Sequence, residues 1–276
     1  MLTFDHIAIS ANSLGDGVDM VEAALGVALA GGGEHPHMAT HNRLLGLGDL
    51  YLEVIAANPA APRPAWPRWF DLDNFDGPPR LTNWVASSKN ISDDLSLAPA
   101  GTGVPVSLQR GDYRWQMAVP ADGKLPFDGG FPALIQWEGA LHPARALPES
   151  HVRLTRLEIA HPQADALQSA LAPLFHDPRV VILPGPAKAM RSAAAAKYAL
   201  CSGRTRWRSA AGHPAARRRR FQPLGCRRRG AGLGVASRQF NAPTGGPTTD
   251  LDAGRAGLCR RRRGRRHGER RQRVHV

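Results

Sequence analysis

The residue types that could bind a metal ion or move a proton lie in two apolar, strand-like segments near the N-terminus. His6 lies in LTFDHIAIS (residues 2–10) and Glu53 lies in LYLEVIAAN (residues 50–58). A lone histidine in such a segment is more often a core residue bonded to a neighbour. An imidazole and a carboxylate that converge from two strands are, by contrast, suited to a divalent metal. The chemistry therefore depends on whether the fold brings these two side chains together.

The alternation of each strand predicts which side chains share a face. Successive side chains of a strand point to opposite faces. His6 is therefore expected on one face with Phe4 and Ala8, and the other face carries Asp5, Ile7 and Ile9. If the leucine and valine that flank Glu53 cover a helix, then Glu53 points into the same concavity as His6. An unpaired carboxylate in mid-strand is costly, which favours a partner or a ligand for it.

The segment around His6 recurs twice in loosely similar form, as LTNWVASS (81–88) and LTRLEIAHP (154–162). When the three segments are aligned on the aliphatic residue and the alanine that follow, Trp84 and Glu158 take the position of His6. Each copy precedes a helical candidate and then further strands. The predicted fold is α+β, with repeated βαβββ-type modules that form a cupped mixed sheet, the last of them incomplete. The modules are expected at about residues 2–58, 81–139 and 152–190.

Local signals support the first module in particular. An apolar stripe at helical spacing begins after Ser13, which is suited to cap a helix, and ends before Gly26. The segments 41–48 and 50–58 flank a Gly48-Asp49 turn, which predicts a hairpin.

Charge divides the chain into two unlike parts. Residues 1–190 hold 13 Lys and Arg against 20 Asp and Glu, whereas residues 191–276 hold 23 against 3. All three cysteines lie in the second part, so disulfides do not stabilise the first. The chain lacks a long apolar run and a secretory signal at its start, so a cytoplasmic protein with no membrane partner is expected.

The basic part, residues 191–276, contains 22 arginines and a single lysine. Without a sustained apolar period it is predicted to be disordered. It is either a functional polybasic segment or an out-of-frame translation of GC-rich DNA, and the second interpretation is preferred. Binding of nucleic acid is expected only through this segment and without specificity.

Three stretches carry a resemblance to a known family: FDHIAIS, GGGEHPHMATHNRLLGLGDLYLEVIAANP and LIQWEGALHPA. Over roughly residues 2–190 the chain resembles the glyoxalase-like domain of the vicinal oxygen chelate superfamily. The resemblance implies a cupped sheet of paired modules. It also implies a divalent metal on inward-facing His, Glu or Gln residues, with substrate chelated through two adjacent oxygens. By position it assigns the metal to His6, Glu53 and Gln136, while Trp84 stands where another ligand would be.

The remaining candidates are residues that would act on substrate. Glu158 or Glu138 would be the catalytic base if His6, Glu53 and Gln136 bind the metal. The His-rich stretch that leads into the predicted strand at 41–48 supplies candidates for substrate binding, with Trp84 as a further one. The candidates in this stretch are His41, Asn42 and Arg43.

Three functions are expected in this order. The first is a metal-dependent lyase, isomerase or ring-cleaving oxygenase that acts on a small oxygenated molecule. The second is a non-catalytic protein that binds or sequesters a small molecule in the same cup. The third is a nucleic-acid binder acting through the basic segment. A homodimer is left open.

Overall fold

The computed structural model describes residues 1–196 and 237–239. Its first two modules each contain four strands and a helix. The first consists of β1 (Thr3–Ser10), α1 (Leu14–Leu25), β2 (Ala30–His35), β3 (Thr40–Gly46) and β4 (Tyr51–Ala57). The second consists of β5 (Arg80–Ser87), α2 (Ile91–Leu97), β6 (Val104–Arg110), β7 (Tyr113–Val119) and β8 (Ala133–Glu138).

These two modules form one curled eight-stranded sheet with the order β2-β3-β4-β1-β5-β8-β7-β6. Within each module the first strand pairs in parallel with the last, and β1 pairs antiparallel with β5 to join the halves. The predicted α+β class and cupped mixed sheet are thus confirmed. Of the described helices, none is long and apolar enough to cross a bilayer.

The two edge strands, β2 and β6, were not predicted from the sequence. Strand β2 contains three consecutive glycines, and β6 contains Pro105. Both residue types weaken a strand pattern, and proline is tolerated at an edge because it has no second neighbour to bond there. The sheet curls until these two edges approach each other.

The convex side of the sheet packs against the helices. Helix α1 begins as predicted, with the Ser13 hydroxyl accepting a hydrogen bond from the Asp16 amide at 3.2 Å, and it ends at Gly26 with φ of 69°. The aliphatic side chains of β1 and β4 lie in the core on this side: Ile7, Ile9, Leu52 and Val54. Glu53 therefore lies on the concave side, as the alternation predicts.

Strand β1 departs from simple alternation at one residue. Its register with β5 passes from Phe4 opposite Ala86 directly to His6 opposite Val85, so Asp5 has no partner. This is a β-bulge, which lets two successive side chains face the same side. Asp5 thus reaches the side of His6, and Phe4 packs in the convex core. The predicted faces of Phe4 and Asp5 were wrong for this reason.

The third module forms a separate small sheet with the order β10-β9-β11-β12. After α3 (Pro143–Ala146), its elements are β9 (Val152–His161), α4 (Ala164–Leu171), β10 (Val180–Pro184), β11 (Ala189–Ala196) and β12 (Ser237–Gln239). Strand β11 runs through residue 190, beyond the boundary that the change in composition predicts. The prediction of disorder for most of residues 191–276 lies outside the described residues.

Candidate functional site

A continuous chain of polar side chains crosses the concave face of the large sheet. His6 Nδ1 donates to Asp5 Oδ1 at 2.7 Å, and its Nε2 lies 3.6 Å from Glu53 Oε2. The Asn42 amide donates to Glu53 Oε1 at 2.6 Å and accepts from Arg110 Nη1 at 3.2 Å. These five residues come from β1, β3, β4 and β6, so only the curled sheet brings them together. We call them the polar chain.

Two residues from outside the first module bind the Asp5 end of the polar chain. His142 Nε2 donates to Asp5 Oδ2 at 3.1 Å, and the Trp137 indole donates to the same oxygen at 3.0 Å. The ring of Tyr51 stacks on the His6 imidazole with 4.3 Å between centroids. Asp5 is thereby saturated with donors, and the orientation of His6 is restricted.

The Arg110 end closes the cup across the two sheet edges. Arg110 Nη1 also donates to His35 Nε2 at 3.3 Å, while His35 Nδ1 lies 3.0 Å from the Thr40 hydroxyl. The Arg110 side chain runs over Gly33 of β2, where a Cβ atom would lie 2.7 Å from Arg110 Cδ. Glycine at this position therefore leaves the room in which the arginine crosses from β6.

The charges of the polar chain stabilise one another. Burial alone would lower the pKa of His6, but its contacts with Asp5 and Glu53 raise it to about 9. Burial alone would raise the pKa of both carboxyls. The hydrogen bonds and charge of His6 lower that of Glu53 to about 2, and His142 with His6 holds that of Asp5 well below its usual range. At neutral pH His6 is an imidazolium between two carboxylates.

His35 has the opposite character. Burial, reinforced by the nearby charge of Arg110, lowers its pKa to about 4 against the opposing charge of Glu53. Its imidazole is therefore neutral at pH 7, which fits its acceptance of a hydrogen bond from Arg110.

Apolar and mainly aromatic side chains form the walls of the cup. They are Leu44, Trp69, Phe70, Trp115, Met117, Ile135 and Trp137. The space left between them is about 30 Å³, the room of about two water molecules. Phe70, a bulky residue, has a positive φ of 59°, and the Trp69 indole N–H is buried without a hydrogen-bond partner among the described residues.

Of the residues singled out in the sequence, the cup brings together His6, Glu53 and Asn42. The resemblance predicts Glu53 beside His6, and Glu53 Oε2 lies 3.6 Å from His6 Nε2. Their role as metal ligands remains a prediction.

Three predicted residues of the second module do not reach the cup. The Gln136 side chain lies on the convex side, where Oε1 accepts from the Ile91 amide at the start of α2 at 2.7 Å. Trp84 is buried there too and donates to the Gly130 carbonyl at 2.8 Å. Glu138 is exposed at the end of β8. Alternation explains this, because Ile135 and Trp137, not their neighbours, face the concave side.

The other candidates lie apart from the cup as well. Glu158 belongs to the small sheet and accepts from Arg156 Nε at 2.7 Å. Arg43 is exposed on β3, and His41 points away from the cup as the neighbour of Asn42. The proposed roles of Gln136, Glu138 and Glu158 in one site with His6 therefore fail on placement.

The sequence-based prediction missed five residues of the site: Asp5, His35, Tyr51, Arg110 and His142. Four of them, Asp5, His35, Tyr51 and His142, stand in stretches that carry the family resemblance. Asp5 needed recognition of the bulge, and Arg110 lies on an edge strand without a clear pattern.

The donor set of the cup does not match the divalent metal that the superfamily resemblance implies. Structural and catalytic zinc sites use three or four protein ligands. Here the first half of the sheet offers His6 and Glu53, and its His35 contacts Arg110 and Thr40. The second half presents Val85, Ile135 and Trp137. Within residues 1–196, no three His, Cys, Asp or Glu side chains are grouped to hold a metal. Asp5 also holds His6 Nδ1, and Asn42 holds Glu53 Oε1.

Comparison with known proteins agrees with this fold. The family model described as a glyoxalase-like domain matches residues 4–175. No curated protein matches the chain. A hypothetical protein from Staphylococcus aureus is 11% identical, with 68% of this chain and 88% of that chain covered and a TM-score of 0.48. Methylmalonyl-CoA epimerase from Mycobacterium tuberculosis is 14% identical over 50% of this chain and 89% of its own, with a TM-score of 0.35. The Streptomyces coelicolor epimerase with a Q60A substitution, in complex with 2-nitronate-propionyl-CoA, is 15% identical over 51% and 100%, with a TM-score of 0.35.

Proposed function

The chain belongs to the glyoxalase-like domain family, and from this premise we propose that its cup catalyses proton transfer on a small oxygenated molecule. The reaction is of the isomerase or lyase class. The observation that carries the proposal is the buried polar chain from Asp5 to Arg110, which places cationic donors and a carboxylate together in an apolar cup. Buried charges are costly, and their concentration in a cleft is typical of a reactive site.

Glu53 is the group that accepts the proton. It is 6% exposed, and Asn42 holds its Oε1, which leaves Oε2 to face the substrate. The 3.6 Å between Oε2 and His6 Nε2 is longer than a direct hydrogen bond, so both atoms can contact a molecule whose entry displaces the walls of the 30 Å³ cup. A C–H proton next to a carbonyl passes to Glu53, and the electron pair moves to the carbonyl oxygen.

His6 and Arg110 stabilise the negative charge that develops on that oxygen. Both are cationic N–H donors on the same face as Glu53, and charge-assisted hydrogen bonds in a dry cup are stronger than in water. Asp5 keeps the His6 ring oriented by accepting from Nδ1, which leaves Nε2 for the substrate. The two cations thus supply the charge stabilisation, and no step here requires a metal.

Exchange of carbon-bound protons with solvent tests this proposal without knowledge of the product. Hydroxyacetone, dihydroxyacetone and pyruvate are incubated with chelator-treated protein in D₂O, and loss of the α-proton signals is followed by NMR. We expect exchange above the protein-free rate with at least one compound, and its loss in Glu53→Gln. Exchange that appears only after addition of Zn²⁺, Mn²⁺ or Ni²⁺ would contradict the metal-free mechanism.

A second candidate is a binding protein without turnover. The aromatic walls of the cup and the unpartnered Trp69 indole favour it, because such linings are typical of sites that hold a ligand. Saturable chemical-shift changes with a panel compound, without exchange of its protons in any metal condition, would support this function and refute the catalytic one.

A further inference from the structure

A second cavity lies on the other side of Phe70 from the cup. Its volume is about 450 Å³, which is within the usual range of small-molecule sites. The start of β5, the segment that follows Phe70, the turn before β8 and the residue before β11 form its walls. The polar side chains of its lining are Asp71, Asn74, Arg80, Thr82, Asn83, Lys124, Asp128 and Lys188.

Three cations face this cavity without a strong carboxylate partner. The Lys188 ammonium donates to the Thr82 carbonyl and forms no ion pair among the described residues. Lys124 Nζ lies 4.0 Å from Asp71, a long contact between exposed groups. Arg80 stacks on the Phe75 ring at 4.2 Å and donates to backbone carbonyls of its own loop. Their charge is therefore available to an anion.

Burial destabilises the charged form of Lys188. Burial lowers its pKa to about 8, and the nearby charge of Asp128 only partly opposes this. A lysine that is desolvated and lacks a counter-ion gains stabilisation when an anion binds beside it. The Asp128 side chain is 87% exposed, so it does not neutralise the interior of the cavity.

Asn83 also lines the cavity. It is 4% exposed, and its side-chain amide lies at the cavity wall. From there the amide can donate a hydrogen bond to a bound ligand. Its Nδ2 faces the space above Gly129, where a Cβ atom would lie 2.5 Å away. The φ of 83° at Gly129 also favours glycine, so the Asn83 amide packs closely over this turn.

We propose that this cavity is a second binding site, for a small molecule that bears a carboxylate or phosphate group. Lys188 and Lys124 neutralise the anion, and the Asn83 amide donates a hydrogen bond to it. The site is separate from the reaction proposed for the cup and uses none of the residues of the polar chain.

Titration of the full chain with inorganic phosphate and with malonate tests the site, with chloride as the reference anion at matched ionic strength. Binding is followed by calorimetry in the unmodified protein and in Lys188→Met, Lys188→Arg and Asn83→Ala. We expect saturable binding of at least one of the two anions. The removal of a charge-assisted contact in Lys188→Met should weaken it by about tenfold or more. Lys188→Arg should retain most of the affinity.

Three controls make the outcome decisive. Lys89→Met removes an exposed lysine outside the cavity and should leave the affinity unchanged. Glu53→Gln should also bind normally, which separates this site from the cup. Stronger binding of malonate than phosphate identifies a carboxylate ligand, and the reverse order identifies a phosphate. Absence of saturable binding for both anions, or equal affinity in Lys188→Met and the unmodified protein, would overturn the proposal.

Discussion

The buried imidazolium of His6 predicts a specific dependence of stability on pH. Its pKa is about 9 in the folded protein against an ordinary value near 6.5, so the folded state binds one more proton between these values. Stability from this group is therefore fully present below pH 6.5 and is lost as pH rises towards 9. With a slope of about 1.4 kcal/mol per pH unit, the loss amounts to about 3 kcal/mol.

The measurement is urea unfolding followed by tryptophan fluorescence at a series of pH values from 6 to 9.5, with chelator present. The quantity to compare is the free energy of unfolding of the unmodified protein minus that of His6→Gln. This difference removes the contribution of Lys188, whose lowered pKa acts with opposite sign: its penalty is relieved as pH rises above about 8. We expect the difference to shrink by about 3 kcal/mol between pH 6.5 and 9.

His176→Gln, which replaces an exposed histidine, is the matched control and should run parallel to the unmodified protein. In the unmodified protein, contacts with His6, and for Asp5 also with His142, keep the Glu53 and Asp5 carboxyls ionised throughout the window. A difference between the unmodified protein and His6→Gln that stays constant from pH 6.5 to 9 would refute a cationic His6. A difference that grows with pH would refute it as well.

Three further substitutions test how the fold supports the cup. Gln136→Leu should lower the free energy of unfolding by about 1 kcal/mol, because the first amide of α2 loses its acceptor. Proton exchange should be unchanged in this variant. A loss of exchange would place Gln136 in the site. Gly33→Ala should displace Arg110 and slow proton exchange by about tenfold. Gly31→Ala changes the same strand where the space is open, and it should leave the exchange rate unchanged. Equal exchange rates in the two variants would contradict the crossing of Arg110 over Gly33. Ser13→Ala should cost about 1 kcal/mol in urea unfolding through the lost cap of α1, and an unchanged midpoint would refute that role.

The local pattern of the sequence was sufficient for the elements that depend on neighbours in the chain. The cap at Ser13, the turn at Gly26 and the alternation around Glu53 all predicted what the structure shows. In each case the deciding interaction lies within a few residues, either a cap hydrogen bond or the period of a strand. The family resemblance rests on such stretches, which is why the cupped α+β fold could be predicted.

The placement of Asp5 and Arg110 depended on tertiary structure. The bulge that turns Asp5 towards His6 is a mismatch between β1 and β5, a strand pairing that alternation within β1 does not reveal. Arg110 reaches Asn42 only because the curled sheet brings its two edges together.

The same dependence on the pairing of distant strands explains why some predicted site residues were misplaced. Aligning Trp84 with His6 chose the wrong position, because the strand register places Val85 opposite His6 and Trp84 opposite Ile7, so Trp84 shares the convex face of Ile7. Glu158 was assigned by repeat to a cup that its module does not share, because its strand pairs in a different sheet. Sequence alone determined which segments form strands and helices, since those choices are local. The meeting of His6, Glu53 and Arg110 was decided by register and curvature, which arise only when distant strands pair.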